Sequence, residues 1–597
     1  MPGSIYIFSA GVWRLRDEIA AMTGLVPRRA WLAAPNSGAI AGWGHKATAD
    51  RARALARRAG LPYIAFEDGF LRSLKPGPGQ RPAAMIMDRS GIYYDARAPS
   101  DLETLLQSAS FTADECQAAS ELIVEIAGRR LSKYNHGADL LPSHSLDASR
   151  PLVLLIDQTR DDESVAGGLA NAATFERMAE AAIAENPGAQ IALKLHPETI
   201  SGAKQGYLQA IAGRHAMTLL SDHITPWALI GRHPRVYTVS SQFGFEALLG
   251  GCRVTCFGVP FYAGWGLSDD RLRAPRRTGK RSIAELAAAV YLRYCHYFDI
   301  WRRTPIDAMT AVDQLDFQRR HYLGNDRPVI CYRIAPWKRR AAAAMLDGPH
   351  GAALFTRNLA TAGTAARKRG AVIAAWGVTA TRLRVRQTFA DTSILTIEDG
   401  FIRSAGLGAA FTAPLSLVFD KTGIYYDSTR PSDIELLLAN RVVTADERAR
   451  GALLRTRIVS AGVTKYNLGG DAAPVDLPAD KPIILVPGQV ADDAAVLAAG
   501  EFREHPAPNV NAVLLNAVRR RNPDAYVIFK PHPDVEKLGR RGALSPEQEN
   551  RDADRVVRNT SLETLLQVAS RVETCSSLSG FEALLRNVPV TVHGMPF

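Results

Sequence analysis

Pro62-Tyr63-Ile64-Ala65-Phe66-Glu67-Asp68-Gly69-Phe70-Leu71-Arg72-Ser73 is the stretch that decides how this chain is read. A short apolar run gives way at once to two carboxylates and a glycine, the pattern of a strand ending at a polar turn. The pattern returns as Ser393 to Ile397 followed by Glu398-Asp399-Gly400-Phe401-Ile402-Arg403-Ser404. Gly91-Ile92-Tyr93-Tyr94-Asp95 returns unchanged as Gly423-Ile424-Tyr425-Tyr426-Asp427, and Ser240 to Phe261 matches Ser576 to Phe597 at 13 of 22 positions. The spacing, 331 to 336 residues, is far longer than the roughly 20–50-residue period of a solenoid or propeller. What repeats is therefore a whole module. Cores tolerate hydrophobic exchange, so two copies that only had to fold alike need not share Glu, Asp, Arg, His and Ser.

Outward from that stretch, apolar strands alternate with helical patterns in both halves, the signature of a doubly wound α/β fold. Leu152 to Ile156 is read as a strand followed by Gln158-x-x-Asp161-Asp162. Ile191 to Leu195 leads into His196-Pro197, and Arg235 to Val239 leads into Ser240-Ser241 and a helix carrying Glu246. The second half repeats this: Ile483 to Val486 before Gln489-x-x-Asp492-Asp493, Ala525 to Phe529 before Lys530-Pro531-His532-Pro533, and Val572 to Cys575 before Ser576-Ser577. Ligands of open parallel sheets bind outside the carboxyl ends of the strands. Four polar motifs at four strand ends, twice over, describe a crevice lined with chemistry.

Each motif has a plain structural use beside its chemical one. Ser240 and Ser241 can simply cap a helix, or the capped turn can hold a phosphate; recurrence as Ser576 and Ser577 favours phosphate. Lys194 and His196, with Lys530 and His532, form a cation and imidazole pair at a strand mouth, suited to an anion. Glu67 with Asp68, and Asp162 after another strand, can divide labour as general acid/base and nucleophile. Asp161 and Asp162 can also merely complement a helix dipole, but that gives no reason for Gln158 and Gln489. Glu246 and Glu582 suit ribose hydroxyls or an exposed helix face, and Gly91 to Asp95 is read as structural.

Composition sets limits. The 597 residues leave room for about four domains, and 47% apolar with 22% charged residues is ordinary for a globular protein. No apolar run approaches the about 18 residues of a membrane span, and the N-terminus lacks the basic start of a signal peptide. The six scattered cysteines suit a reducing, cytoplasmic setting; Cys252 and Cys256 lack nearby His or Cys partners for zinc. The net charge of +12 is diffuse, which argues against nucleic acid and leaves small anions, a membrane surface, or a plain basic surface.

At these residues the chain resembles the KpsC-type (LpsZ) capsule polysaccharide proteins, two-module β-Kdo glycosyltransferases. The resemblance rests on both E-D-G-F-x-R-S motifs, both Q-x-x-x-D motifs, K-x-H-P, S-S-x-x-G-F-E-A-L-L, and Gly258-Val259-Pro260-Phe261-Tyr262-Ala263-Gly264-Trp265-Gly266-Leu267. More distantly, the acidic pair and His-Pro resemble bacterial sialyltransferases, which also use CMP-linked acidic sugars.

The resemblance implies an α/β fold built as a tandem duplication of a GT-B-like module, each of two facing Rossmann-like domains: 1–150, 151–325 with closing helices from Ser282 to about Arg320, 326–480 and 481–597. It implies a cytoplasmic enzyme, peripheral at the inner leaflet, that adds Kdo from CMP-β-Kdo to a glycolipid acceptor of the Kdo-lysophosphatidylglycerol type. Further partners would be the initiating Kdo transferase and the capsule polysaccharide export machinery. The β-2→4 and β-2→7 linkages would come from the first and second modules. Donor and product share the β configuration, so the reaction retains, with Asp162 and Asp493 as nucleophiles and Glu67 or Asp68, and Glu398 or Asp399, as acid/base. Lys194, His196, Pro197, Ser240, Ser241, Glu246 and Gln158 would line the CMP-sugar site, as would Lys530, His532, Pro533, Ser576, Ser577, Glu582 and Gln489. Arg72 and Arg403 would meet the donor's anionic groups. No cofactor or metal is expected. Rival readings are another CMP-nonulosonate transferase and a non-catalytic polysaccharide-binding or export scaffold. Phe597 aligns with Phe261, so the second module is expected to be truncated at its C-terminus and the product to stall after one sugar.

Overall fold

The computed structural model describes residues 3–30, 37–77, 79–139, 146–160, 162–215, 217–377, 385, 387–388, 393–407, 411–470, 476–499 and 509–597. They form two compact units, Met1–Gly324 and Asn325–Phe597, of mixed α/β architecture.

The first unit opens with β1 (Ser4–Ile7), β2 (Val26–Arg29), β3 (Ala39–Trp43), β4 (Tyr63–Asp68) and β5 (Ala84–Asp88). Next come β6 (Leu152–Ile156), β7 (Gln190–Lys194), β8 (Thr218–Leu220), β9 (Arg235–Thr238), β10 (Arg253–Cys256) and β11 (Asp269–Asp270). The chain then turns back with β12 (Cys295–Phe298) and β13 (Pro305–Ile306). Among the described residues one sheet has the order β13-β12-β5-β4-β3-β1-β2 and the other β11-β10-β9-β6-β7-β8. The second sheet is parallel throughout. In the first, β5 runs antiparallel to β4, and β12 antiparallel to β5. The stretch from Ser282 to Arg320, expected to be helical, is thus interrupted: Cys295-His-Tyr-Phe pairs with Ala84, Met85 and Ile86 before the helix Ala308–Gly324 begins. Aromatic residues at an open sheet edge pack better as a strand than as solvated helix.

Leu152-Val153-Leu154-Leu155-Ile156 is buried along its whole length. Leu154 and Ile156 join a core reaching Ala65, Phe70 and Ile86 of the first sheet, while Val153 and Leu155 join a second core around Phe175 and Met178. A strand covered on both faces needs apolar residues at every position, so it reads as an unbroken run.

The second unit holds β14 (Val329–Tyr332), β15 (Leu354–Thr356), β16 (Val372–Trp376), β17 (Ile394–Asp399) and β18 (Leu417–Asp420) in the order β15-β14-β16-β17-β18. It also holds β19 (Ile483–Pro487), β20 (Tyr526–Lys530), β21 (Arg555–Val556), β22 (Arg571–Thr574) and β23 (Val590–Val592), ordered β21-β20-β19-β22-β23. These orders match β2-β1-β3-β4-β5 and β8-β7-β6-β9-β10 of the first unit. Phe70, Phe245 and Phe261 meet with ring centroids 4.9–6.0 Å apart, and Phe401, Phe581 and Phe597 meet at 5.0–5.8 Å.

Candidate active site

The central strand β6 has β7 on one side and β9 on the other. The chain builds outward through β7 and β8, then returns to add β9 and β10, so the loops after β6 and β9 part at a switch point and leave a crevice. Gln158 follows β6 and spans this gap. Its Nε2 donates to Asp162 Oδ2 at 3.2 Å, Ser164 Oγ at 3.0 Å and Ser240 Oγ at 3.1 Å, and its Oε1 accepts the Ser240 N–H at 3.0 Å. Asp162 caps the short helix Glu163–Gly167 by accepting the Ser164 N–H. Its capping role is real, and Gln158 ties its other oxygen to the serine. Asp161 lies outside the described residues. Ser241 caps the helix Gln242–Leu249.

In the second unit buried Gln489 accepts the N–H groups of Cys575 and Ser576 and donates to Ser576 Oγ at 3.2 Å. Asp493 caps Ala494–Leu497, accepting from Ala495. The helix after Ser576-Ser577 starts at Ser579, where Ser577 Oγ accepts the Ser579 N–H.

Glu67 and Asp68 are the last residues of β4, not the first beyond it, and Glu398 and Asp399 likewise end β17. Each pair divides. Asp68 is paired with Arg72 Nε at 2.7 Å, and Asp399 with Arg403 Nε at 2.8 Å. The arginines are buried and also bond Ser73 and Gly77, or Ser404 and Thr412. Their guanidinium groups are therefore engaged inside the protein. Glu67 is 4% exposed, and burial raises its pKa although Lys46 Nζ lies 3.3 Å away. Burial also raises Glu398, which accepts from Trp376 Nε1 at 2.9 Å and from Tyr426 Oη. The charges of Glu67, Asp68 and Asp162 all reach partly buried Tyr93, and those of Glu398, Asp399 and Asp493 reach Tyr425.

Lys194 ends β7 and donates to the Asp222 carbonyl; burial pushes its pKa down to about 8. Lys530 ends β20, donates to the Thr560 carbonyl at 2.7 Å, and is lowered for the same reason. His196 and His532 cap the short helices opened by Pro197 and Pro533, each Nδ1 accepting the N–H two residues on. Burial lowers both imidazoles, His532 to about 4. With Nδ1 accepting, the proton of a neutral ring sits on Nε2.

Glu246 and Glu582 do not lie on exposed helix faces. Glu246 is 4% exposed, accepts from Ser132 Oγ at 2.8 Å, and burial pushes its pKa up to about 7. Glu582 accepts the Lys465 N–H at 2.7 Å and is likewise pushed up to about 7. A cavity of about 480 Å³ in the second unit brings together Glu398, Gln489, Asp493, Lys530, His532, Ser576, Ser577 and Glu582.

Sequence reasoning missed Asp157 and the loop lysines. Asp157, buried after β6, accepts the N–H groups of Gln158, Tyr207 and Leu208 through Oδ1, and burial pushes its pKa up to about 6. Its counterpart is Gly488, so the repeat carried no signal for it. Lys133 and Lys465 were legible: Lys133-Tyr134-Asn135-x-Gly137 recurs as Lys465-Tyr466-Asn467-x-Gly469.

A family model described as "Capsule polysaccharide biosynthesis protein" matches residues 38–297, 371–463 and 469–597. The chain is 40% identical over 579 residues to capsule polysaccharide modification protein LipA of Neisseria meningitidis serogroup B, covering 94% of this chain and 80% of that one. It is 36% identical over 249 residues to lipopolysaccharide-processing protein LpsZ of Rhizobium meliloti, covering 41% of this chain and 57% of that protein. Among solved structures, the KpsC β-Kdo 2,4 transferase of Thermosulfurimonas dismutans superposes with a TM-score of 0.51 at 39% identity, covering 53% of this chain and 98% of that structure. The match of the family model over most of the length, together with the extent of the LipA similarity, places this chain in the capsule polysaccharide biosynthesis protein family, of the KpsC/LpsZ type.

Proposed function

We propose that each unit is one copy of a duplicated, GT-B-like glycosyltransferase module that transfers Kdo from CMP-β-Kdo to a Kdo-lysophospholipid acceptor with retention. The observation that carries this reading is the placement of Glu398, Gln489, Asp493 and His532 around one cavity at strand ends, together with the 39% identity to a β-Kdo 2,4 transferase. Retention calls for two displacements. The Asp162 carboxylate attacks the anomeric carbon as the bond to the phosphate oxygen breaks, and CMP leaves with that electron pair. An acceptor hydroxyl then displaces Asp162 while Glu67 takes the hydroxyl proton. Asp493 and Glu398 do the same in the second unit.

Glu67 and Glu398 suit the proton-transfer role better than Asp68 and Asp399. Burial raises them toward the working pH, where a general base is most effective; the aspartates are neutralised by arginine. The Nε2–H groups of neutral His196 and His532, with Ser240, Ser241, Ser576 and Ser577, suit the phosphodiester. CMP is a good leaving group, so the chemistry requires no metal. Among the described residues no helix is long and apolar enough to cross a membrane.

The test is incubation of the chain with CMP-Kdo or CMP-sialate and a Kdo-lysophospholipid, following CMP release and product mass. Acceptor-dependent release with CMP-Kdo and a mass gain of one or more Kdo residues is expected. Transfer from CMP-sialate alone would move the protein to another sugar, and transfer from neither would reject the enzyme reading.

A further inference from the structure

The loops 131–137 and 463–469 join the two halves of each unit. In the first, the Lys133 carbonyl accepts the Arg72 and Ser73 N–H groups, both at 3.2 Å, and Asn135 Nδ2 donates to the Ser73 carbonyl at 3.0 Å. On the other side Ser132 donates to Glu246, on the helix after β9. In the second, the Lys465 carbonyl accepts Arg403 and Ser404 N–H groups at 3.1 and 3.2 Å, Asn467 donates to the Ser404 carbonyl, and the Lys465 N–H donates to Glu582. Each lysine backbone is therefore pinned between the segment after the Glu-Asp pair and the helix after the serine pair.

The side chains reach the reacting groups. Lys465 lines the cavity with Glu398, Asp493 and His532, and the Lys133 charge acts on Glu67, Glu246 and His196. Neither ammonium forms an ion pair among the described residues; each lies by the tyrosine that follows it, 5.8 and 5.2 Å from the ring centre. The other cations are engaged, Arg72 and Arg403 by carboxylates and Lys194 and Lys530 by carbonyls. The carboxylates around them, Glu67 and Asp68 in the first unit and Glu398, Asp399 and Asp493 in the second, hold both ammonium groups charged against burial, so each site presents a fixed cation that an arriving substrate anion can meet.

A CMP-linked sugar acid carries one anion at its phosphodiester and another, a carboxylate, on the carbon that is attacked. The second is the problem for catalysis, because an aspartate nucleophile approaching that carbon meets a like charge. We propose that Lys133 and Lys465 bind the carboxylate on the donor's reacting carbon and screen it from Asp162 and Asp493. This rests on the reading of each unit as a transferase for CMP-linked sugar acids.

The test uses the full chain with Asp493→Asn to silence the second unit, and compares Lys133→Met and Lys133→Arg in that background. Transfer from CMP-Kdo gives kcat/KM, calorimetry gives the affinity for CMP, which lacks the sugar carboxylate, and thermal melting reports folding. Lys133→Met should lower kcat/KM by about 10²–10³ while CMP affinity changes less than about threefold, and Lys133→Arg should restore at least about a tenth of the activity. The proposal is overturned if Lys133→Met stays within about fivefold of its parent, if CMP binding weakens as much as transfer, or if Lys133→Arg melts like its parent yet is as inactive as the methionine variant. If the parent itself transfers from no CMP-sugar acid, the transferase reading has failed, independently of the lysine.

Discussion

Glu246 provides a test of the site's electrostatics that needs no substrate. Burial holds this carboxyl at about 7, against an ordinary value of 4.5. Below pH 4.5 the group is protonated in both the folded and unfolded states. Above it, the unfolded chain gives up the proton while the folded protein keeps it until about pH 7, so stability falls as pH rises across this window and then levels off. At about 1.4 kcal/mol for each factor of ten in proton affinity, the loss approaches about 3 kcal/mol, of which about 2.5 falls between pH 5 and pH 8. Glu246→Gln cannot titrate, and its amide oxygen can still accept from Ser132 and Gln242, as the carboxyl does at 2.8 and 3.3 Å. Urea unfolding of wild type and Glu246→Gln at pH 5 and pH 8 should show the variant gaining about 2.5 kcal/mol on the wild type at the higher pH, and Glu582→Gln should behave alike. An equal difference at both pH values, within about 0.5 kcal/mol, would mean that Glu246 ionises as an ordinary exposed carboxyl does and would refute this account of the site.

Three further outcomes follow from the same geometry. Asp162→Asn should abolish transfer by the first unit, by at least about 10³, yet leave CMP binding within a few-fold, since asparagine still caps the helix; an active Asp162→Asn would remove it as nucleophile. Glu67→Gln should slow acceptor transfer more than donor cleavage, so a sugar covalently attached to Asp162 should accumulate and be visible by mass spectrometry of the intact protein. Gly206→Ala should destabilise the first unit by about 1–3 kcal/mol, read by thermal melting. A Cβ there would overlap Asp157 Oδ2, and Asp157 cannot retreat because three backbone N–H groups hold its other oxygen.

Much of the site was legible in the sequence. The eight motif-bearing strands fall where the apolar runs put them, displaced by a residue or two at their ends, because a strand buried on both faces carries its signal locally. The carboxylates, the glutamines, His-Pro and the serine pairs were legible because they recur at one spacing and each follows a strand. The return of Cys295–Phe298 to the first sheet was not legible, since edge pairing depends on which strand edge is left open, not on the four residues themselves.

What the sequence determined by itself was the inventory and its address: α/β units with a repeated set of acids, bases and hydroxyls at strand ends. Only the tertiary structure decided how those groups share the work. Asp68 and Asp399 are neutralised because Arg72 and Arg403 fold back on them, whereas Glu67 and Glu398 are raised because the cores close around them. Gln158 became the brace between Asp162 and Ser240, and Lys133 and Lys465 became cations of the site rather than loop residues. Charge and hydrogen bonding act through space over a few ångströms. Residues 82 or 117 positions apart in the chain, as Gln158 is from Ser240 and Lys465 from Glu582, acquire their roles only when the sheets and their connecting loops bring them together.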